Sequence, residues 1–337
     1  MSLRYTGAWL QDGAFNPLVA PTPSYTYELW SWGYNVGGQL GLGNRTDYSS
    51  PKQVGTLTTW LNLAGGYRFS GATKTDGTLW SWGSNSYGQL GLNNITNYSS
   101  PKQVGALTNW LNISAGYYFT IATKTDGTLW GWGRNDYGQL GLNNITNYSS
   151  PKQVGALTTW SKIACGNTHL LTIKTDGTLW SWGLNTNGQL GLGNTTSYSS
   201  PKQVGALTNW LNIAGGVYWS AATKTDGTLW SWGNNSQGQL GLGNRTQYTS
   251  PKQIGVLTTW SAVKAGQSHM IAVKTDGTLW SWGWNVYGQL GLNNTTSYSS
   301  PKQVGSLTNW SNVKGGTQNG IATVSYTHLT LPTILLV

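Results

Sequence analysis

Two histidines, His169 and His269, occupy matching places in a repeated sequence, and imidazole is a frequent proton carrier and metal ligand near neutral pH. Neither has the company that such chemistry requires. No cysteine or carboxylate lies at metal-ligand spacing from them, so no metal site is expected. The carboxylates are mostly Asp76, Asp126, Asp176, Asp226 and Asp276, each inside Lys-Thr-Asp-Gly. Asp is explained there by turn chemistry, and solvated turn carboxylates make poor general acids or bases. The one cysteine, Cys165, can form no internal disulfide and reads as a small hydrophobe. Neither a Gly-x-Ser-x-Gly elbow nor a phosphate-cradling loop occurs. A non-enzymatic protein without cofactors is expected. What the chain does offer is recognition chemistry, in the form of large aromatic rings and guanidinium groups at otherwise variable places.

The elements that carry those groups are read from composition and repetition. The 337 residues include 47 Gly and 21 Trp against 3 Phe and 2 Met, and only 8% are charged. Leu-Trp-Ser-Trp-Gly begins at Leu29 and returns, with Gly131 for Ser in one copy, from Leu79, Leu129, Leu179, Leu229 and Leu279, at an unvarying spacing of 50. Gly-Gln-Leu-Gly-Leu follows each copy, and Ser-Pro-Lys-Gln closes it. Asp-Gly between alternating runs, as at Lys74 to Thr78, is a strong hairpin signal. Around it, WLNLAGG, SGATKT, TLWSWG and PKQV supply four short strands per unit, the Pro suiting the start of an edge strand. Residue 43 and its equivalents are only Gly or Asn, which predicts a left-handed backbone. Tandem four-stranded antiparallel units of this length predict an all-β fold, a β-propeller.

From Trp82 a unit reads WGSNSYGQLGLNN: a strand ending in Trp-Gly, a short variable stretch, Asn, then Gly-Gln-Leu-Gly. This pattern resembles the regulator of chromosome condensation repeat family over about residues 28–323. The resemblance implies a propeller of the seven-bladed type, and relatives that serve as interaction platforms or clamp an enzyme through propeller loops. For the founding member it implies nucleotide exchange on a small nuclear GTPase, through a wedge-like insertion and a basic tail. No repeat here carries an insertion, and the N-terminal arm has only Arg4 as a basic residue, so exchange stands as the alternative reading.

Three segments are expected. Residues 1–27 form a non-repeat arm containing Pro17, Pro21 and Pro23. The propeller spans 28–323, with the last two strands of one blade in 28–57, five complete units, and the first two strands of another in 311–323. It is expected to be truncated, an open arc or a strained ring. In the tail 324–337, the stretch VSYTHLTLPT matches one reading frame of a transposase sequencing adapter and is expected to be non-native, so His328 carries no functional weight. The near-identical repeats suggest a bacterial or phage surface or particle protein of metagenomic origin. There is no apolar run of membrane-spanning length and no signal peptide, so no compartment is read.

Differences between copies place the binding surface. After the first strand the copies read Tyr67-Arg68-Phe69, Tyr117-Tyr118-Phe119, Asn167-Thr168-His169, Val217-Tyr218-Trp219, Gln267-Ser268-His269 and Thr317-Gln318-Asn319. After the third strand, Tyr34, Tyr87, Arg134, Tyr137, Trp284 and Tyr287 stand out. In an up-and-down blade these two connections share one end. The expected site is therefore one aromatic loop face comprising Tyr34, Tyr67, Arg68, Phe69, Tyr87, Tyr117, Tyr118, Phe119, Arg134, Tyr137, His169, Tyr218, Trp219, His269, Trp284 and Tyr287. Tyr, Trp and Arg are enriched at interfaces, so a protein or glycan partner is expected. The net charge of +10 comes largely from Lys52, Lys102 and their PKQ equivalents and from the KTDG lysines. Basic residues spread around a ring form no patch, so nucleic acid is not expected as a partner.

Overall fold

The computed structural model describes residues 28–315 and 320–324. The arm at 1–27, the adapter-like tail beyond Val324 and the variable triplet at 317–319 lie outside the described residues. Every regular element described is a β-strand. Strands β1 (Trp30–Gly33) and β2 (Tyr48–Gln53) pair as a two-stranded sheet. The next unit is a complete antiparallel blade in the order β3 (Trp60–Gly65), β4 (Phe69–Lys74), β5 (Leu79–Gly83) and β6 (Tyr98–Gln103). Residues 110–153, 160–203, 210–253 and 260–303 repeat it, and Trp310–Gly315 pairs with Gly320–Val324 as a final two-stranded sheet. The all-β propeller with four-stranded antiparallel blades is therefore present.

Local chemistry explains each corner. In the β4–β5 hairpin, Asp76 Oδ1 accepts from Thr78 N–H at 2.9 Å and Thr78 Oγ1 at 2.6 Å, and Gly77 takes φ 75°. The Gly-or-Asn position is left-handed in both residue types, φ 78° at Gly43 and 58° at Asn93. One boundary differs from expectation. The fourth strand begins at Tyr98, three residues before Pro101, and its pairing with β5 shifts register between Ser81 and Gly83. On an edge strand a bulge removes the need for the N–H that Pro lacks, so Pro sits inside the strand.

The core lies between blades. Leu79 and Val104 of one unit pack with Trp110, Ala122 and Trp132 of the next. The indole Nε1 of Trp82 donates to the Gln39 carbonyl of the preceding unit at 2.9 Å, and Trp132 to that of Gln89 at 3.0 Å. Trp82 and its equivalents in the other complete blades are buried, whereas Trp80 is half-buried under the Lys74 ammonium, 3.7 Å from its ring centroid. Burying one indole contributes about 4–6 kcal/mol before ordering entropy is subtracted. The KTDG lysines Lys74, Lys124 and Lys224 are accordingly buried over Trp rings, and they add less to the surface charge than the sequence suggests.

The two half-blades do not join. In a ring of six closed blades, Gly320–Val324 would pair with β1 as β4 pairs with β5; they belong to separate two-stranded sheets. Trp32 is 52% exposed where its equivalent Trp82 is 3% exposed, as expected of an open arc. The described residues form five whole blades and two halves; seven remains the number implied by the resemblance.

Candidate binding face

The first connection of each blade is a three-residue loop, 66–68 in the first complete unit, and the third is the long loop between β5 and β6. The two meet at one end of the disc, where the Ser84 N–H donates to the Arg68 carbonyl at 2.8 Å. The motif residues of the long loop fasten it from within. Asn85 is fully buried; its Nδ2 donates to the Asn94 carbonyl at 2.9 Å, and its Oδ1 accepts from Leu90 N–H at 2.9 Å. Gln89 Oε1 accepts the Tyr87 N–H at 2.9 Å, and the Asn93 N–H reaches the Ser149 carbonyl of the next unit. The loop tip is thus held while its side chain stays free to vary.

On this scaffold eight of the expected residues form one contiguous sector. The Arg68 guanidinium lies 5.5 Å from the Tyr34 ring centroid and 4.9 Å from that of Tyr67. Tyr67 stacks on Tyr117 at 4.3 Å, and Tyr118 stands edge-on to both. Tyr118 meets Tyr87 at 4.8 Å, and Arg134 sits 5.1 Å from Tyr87, 5.8 Å from Tyr118 and 6.0 Å from Tyr137. Burial pushes the Tyr117 hydroxyl up to about 12, with the adjoining Tyr67 adding to the shift, and burial also raises Tyr118. These rings therefore act as neutral hydrogen-bonding groups at ordinary pH. Trp284 and Tyr287 make a separate pair at 5.3 Å, and Tyr218 is exposed without a ring contact to the sector.

Five expected site residues are not on the surface. Phe69, Phe119, His169, Trp219 and His269 are buried. Each begins the second strand of its blade, and in a pleated strand that position points inward. Each ring fills the space beside a glycine three residues earlier: a Cβ on Gly66, Gly116, Gly166, Gly216 or Gly266 would lie about 2 Å from it. Trp219 Nε1 donates to the Gln267 carbonyl at 3.0 Å, and His169 Nε2 contacts Ser220 Oγ at 2.9 Å, both in the following unit. These are wedges between blades, not ligand contacts. The repeated Gly with a large ring three residues on was the available signal. Asn85 and Gln89 also shape the face by holding its loop tips, and their invariance hides them from a comparison of variable positions.

On the other side of the ring the amides of Asn187 and Asn234 bond within the face. Asn234 Nδ2 donates to Asn187 Oδ1 at 3.3 Å, and Asn234 Oδ1 accepts from Gln239 at 2.9 Å. Between the sectors a central cavity of about 510 Å³ is lined by the first connections of the complete blades. Cys165 reaches it as a half-buried residue, but burial of its thiol pushes the pKa up to about 12, so the sulfur stays a protonated, unreactive group. Among the described residues no group of three His, Cys, Asp or Glu is placed to hold a metal, and no helix is long and apolar enough to cross a membrane.

The chain matches the model of the RCC1-like domain over residues 108–330. It matches that of the regulator of chromosome condensation (RCC1) repeat over 28–73 and 76–123. No curated protein matches it in sequence. Its fold is similar to human WBSCR16, at 20% identity and TM-score 0.67, covering 89% of this chain and 100% of that one. It is also similar to Prp20p from Saccharomyces cerevisiae, described with its binding to Gsp1p and histones, at 19% identity and TM-score 0.60, covering 89% and 92%. Yeast RCC1 (Prp20) with Kap60 gives 18% identity and TM-score 0.66, covering 95% and 97%.

Proposed function

The chain belongs to the RCC1-like domain family, and from that premise we propose that it is a non-enzymatic module that binds a protein through the sector from Tyr34 to Tyr137. The observation that carries the reading is the unbroken run of ring and guanidinium contacts across consecutive units. The loops beneath it are already fastened, so little ordering entropy is lost on docking, and packed Tyr and Arg anchors can each contribute about 2 kcal/mol or more. Prp20p binds proteins, which supports a protein over a glycan as the partner class.

Affinity capture from the native source, quantified by mass spectrometry, tests it. Tyr87→Ala with Tyr118→Ala should reduce retention of the specific partner at least roughly tenfold, the scale of one lost anchor. Asp76→Asn with Asp126→Asn, on the opposite end of the disc, should leave it unchanged. If the aspartate pair abolishes retention and the tyrosine pair does not, the functional face is the other one.

Nucleotide exchange on a small GTPase is the second reading, supported by the family likeness alone. Units 60–303 keep the same elements at the same spacing, so none carries an inserted wedge. A fluorescent-nucleotide release assay over a panel of small GTPases should show no acceleration, and accelerated release would establish exchange instead.

A further inference from the structure

We propose that the mouth of the central cavity is a carboxylate-binding site anchored by Arg68, and that the partner enters it with an acidic side chain or a chain end. This rests on the protein-binding reading and names the chemical group recognised. Among the described residues lining the 510 Å³ cavity, Arg68 is the one with a charged side chain. Its Nε is buried with no hydrogen-bond partner, and a buried guanidinium donor without an acceptor is costly to leave unmade. Its contacts are the faces of Tyr34 and Tyr67, which attract the charge but cannot accept the in-plane N–H hydrogens.

The same sector shows what completes such a cage. Arg134 also sits against tyrosine rings, but its Nε donates to the carboxylate of Asp136 at 2.6 Å. Among the described residues that is the one ion pair, so Arg68 has the cage without the anion. Gln39, Asn167 and Gln267 add amide groups to the lining, and none of the described lining residues is a carboxylate that would oppose an incoming one. Arg68 is also held at φ 60°, a left-handed backbone that Tyr118, Thr168, Tyr218 and Ser268 at the same place do not share. A non-Gly residue kept there is a recurrent mark of functional positions.

Arrayed 12-residue peptides, each printed with one internal Glu or Gln and with a free or amidated C-terminus, provide the test. Labelled wild-type protein should bind forms with a carboxylate at least about tenfold above the matched neutral forms, the scale of one desolvated charge pair. The Glu and free-acid arms tell side chain from chain end. Arg68→Gln should abolish that preference, Arg68→Lys should keep part of it, and Lys102→Gln on the outer strand should leave it intact. Arg68→Gly suits the left-handed backbone, so it should fold at least as well and still lose the preference. Equal binding of acidic and neutral forms, no binding of any acidic form, or a preference that survives Arg68→Gln overturns the inference. So does Arg68-dependent binding of a single-stranded oligonucleotide in place of the peptides. If peptide binding ignores charge yet falls with Tyr87→Ala and Tyr118→Ala, the carboxylate site is wrong and the protein-binding face stands.

Discussion

One position shows how a residue's role follows from its place in a strand and not from its type. Phe69, Phe119, His169, Trp219 and His269 look like interface residues and serve as inter-blade wedges. Ring size is what the position needs, which is why an imidazole can stand where other copies carry a phenyl or indole ring. For His169 burial lowers the pKa to about 3. Ser220 Oγ donates to the Gln189 carbonyl at 2.8 Å, so it accepts from His169, whose proton therefore sits on Nε2. The unfolded chain takes up a proton near pH 6.5 and the folded one only near 3. Between those values the unfolded state binds more protons, and stability falls as pH drops. His169→Phe should flatten that fall by up to roughly 1.4 kcal/mol per pH unit below 6.5, read from urea midpoints at pH 7, 5 and 4. An unchanged slope would mean that the ring is protonated in the fold. Trp132 is a second residue-scale case. It is fully buried, stands edge-on to Trp110 at 5.9 Å and donates to Gln89 O. Trp132→Ala should cost about 3–5 kcal/mol in the same assay, and unchanged stability would make the ring a ligand candidate instead.

The long connection shows why the invariant motif and the variable tip coexist. Gln89 serves two elements at once. Its side chain holds the Tyr87 N–H, and its carbonyl takes Thr120 Oγ1 at 2.8 Å and Trp132 Nε1 at 3.0 Å from the next blade. Asn85 ties the two ends of the loop together. Gln89→Ala keeps the carbonyl and removes only the tip fastening. Losing one such bond costs about 1 kcal/mol, so amide exchange at Tyr87 should speed up roughly fivefold while the urea midpoint moves little. If exchange at Tyr87 is unchanged, the tip is held by its ring contacts with Tyr118 and not by Gln89. The strand count and the hairpin ends were legible in the sequence because Asp-Gly and Gly-or-Asn positions impose local backbone geometry. The start of the fourth strand was not, because Pro101 is tolerated only through a register shift against β5, which is a property of the pair.

At the scale of the molecule the blades behave as a linear array, each stabilised by the one before and the one after. Adjacent first connections are also laced by backbone bonds, Tyr67 N–H to Tyr117 O at 3.1 Å and Tyr117 N–H to Asn167 O at 3.0 Å. Arrays held by nearest-neighbour interfaces open from their ends. Hydrogen exchange should therefore be fastest in β1, β2, Trp310–Gly315 and Gly320–Val324 and slowest in the blades spanning 110–253. Uniform protection from end to end would show that the half-blades are covered in solution and that the arc closes.

By itself the sequence determined the fold class, the unit boundaries and the end of the disc that varies. Those follow from local rules: period-two alternation, turn residues and exact repetition, none of which needs a distant partner. Tertiary structure decided which variable residues face outward and which wedge between blades, because successive residues of one triplet belong to a loop and to a strand. It also decided that Tyr34 and Arg68, or Tyr87 and Tyr118, meet although each pair comes from different units. A sequence orders residues along a chain, whereas the contact of one blade's long loop with its neighbour's short loop is set by the packing angle between two sheets.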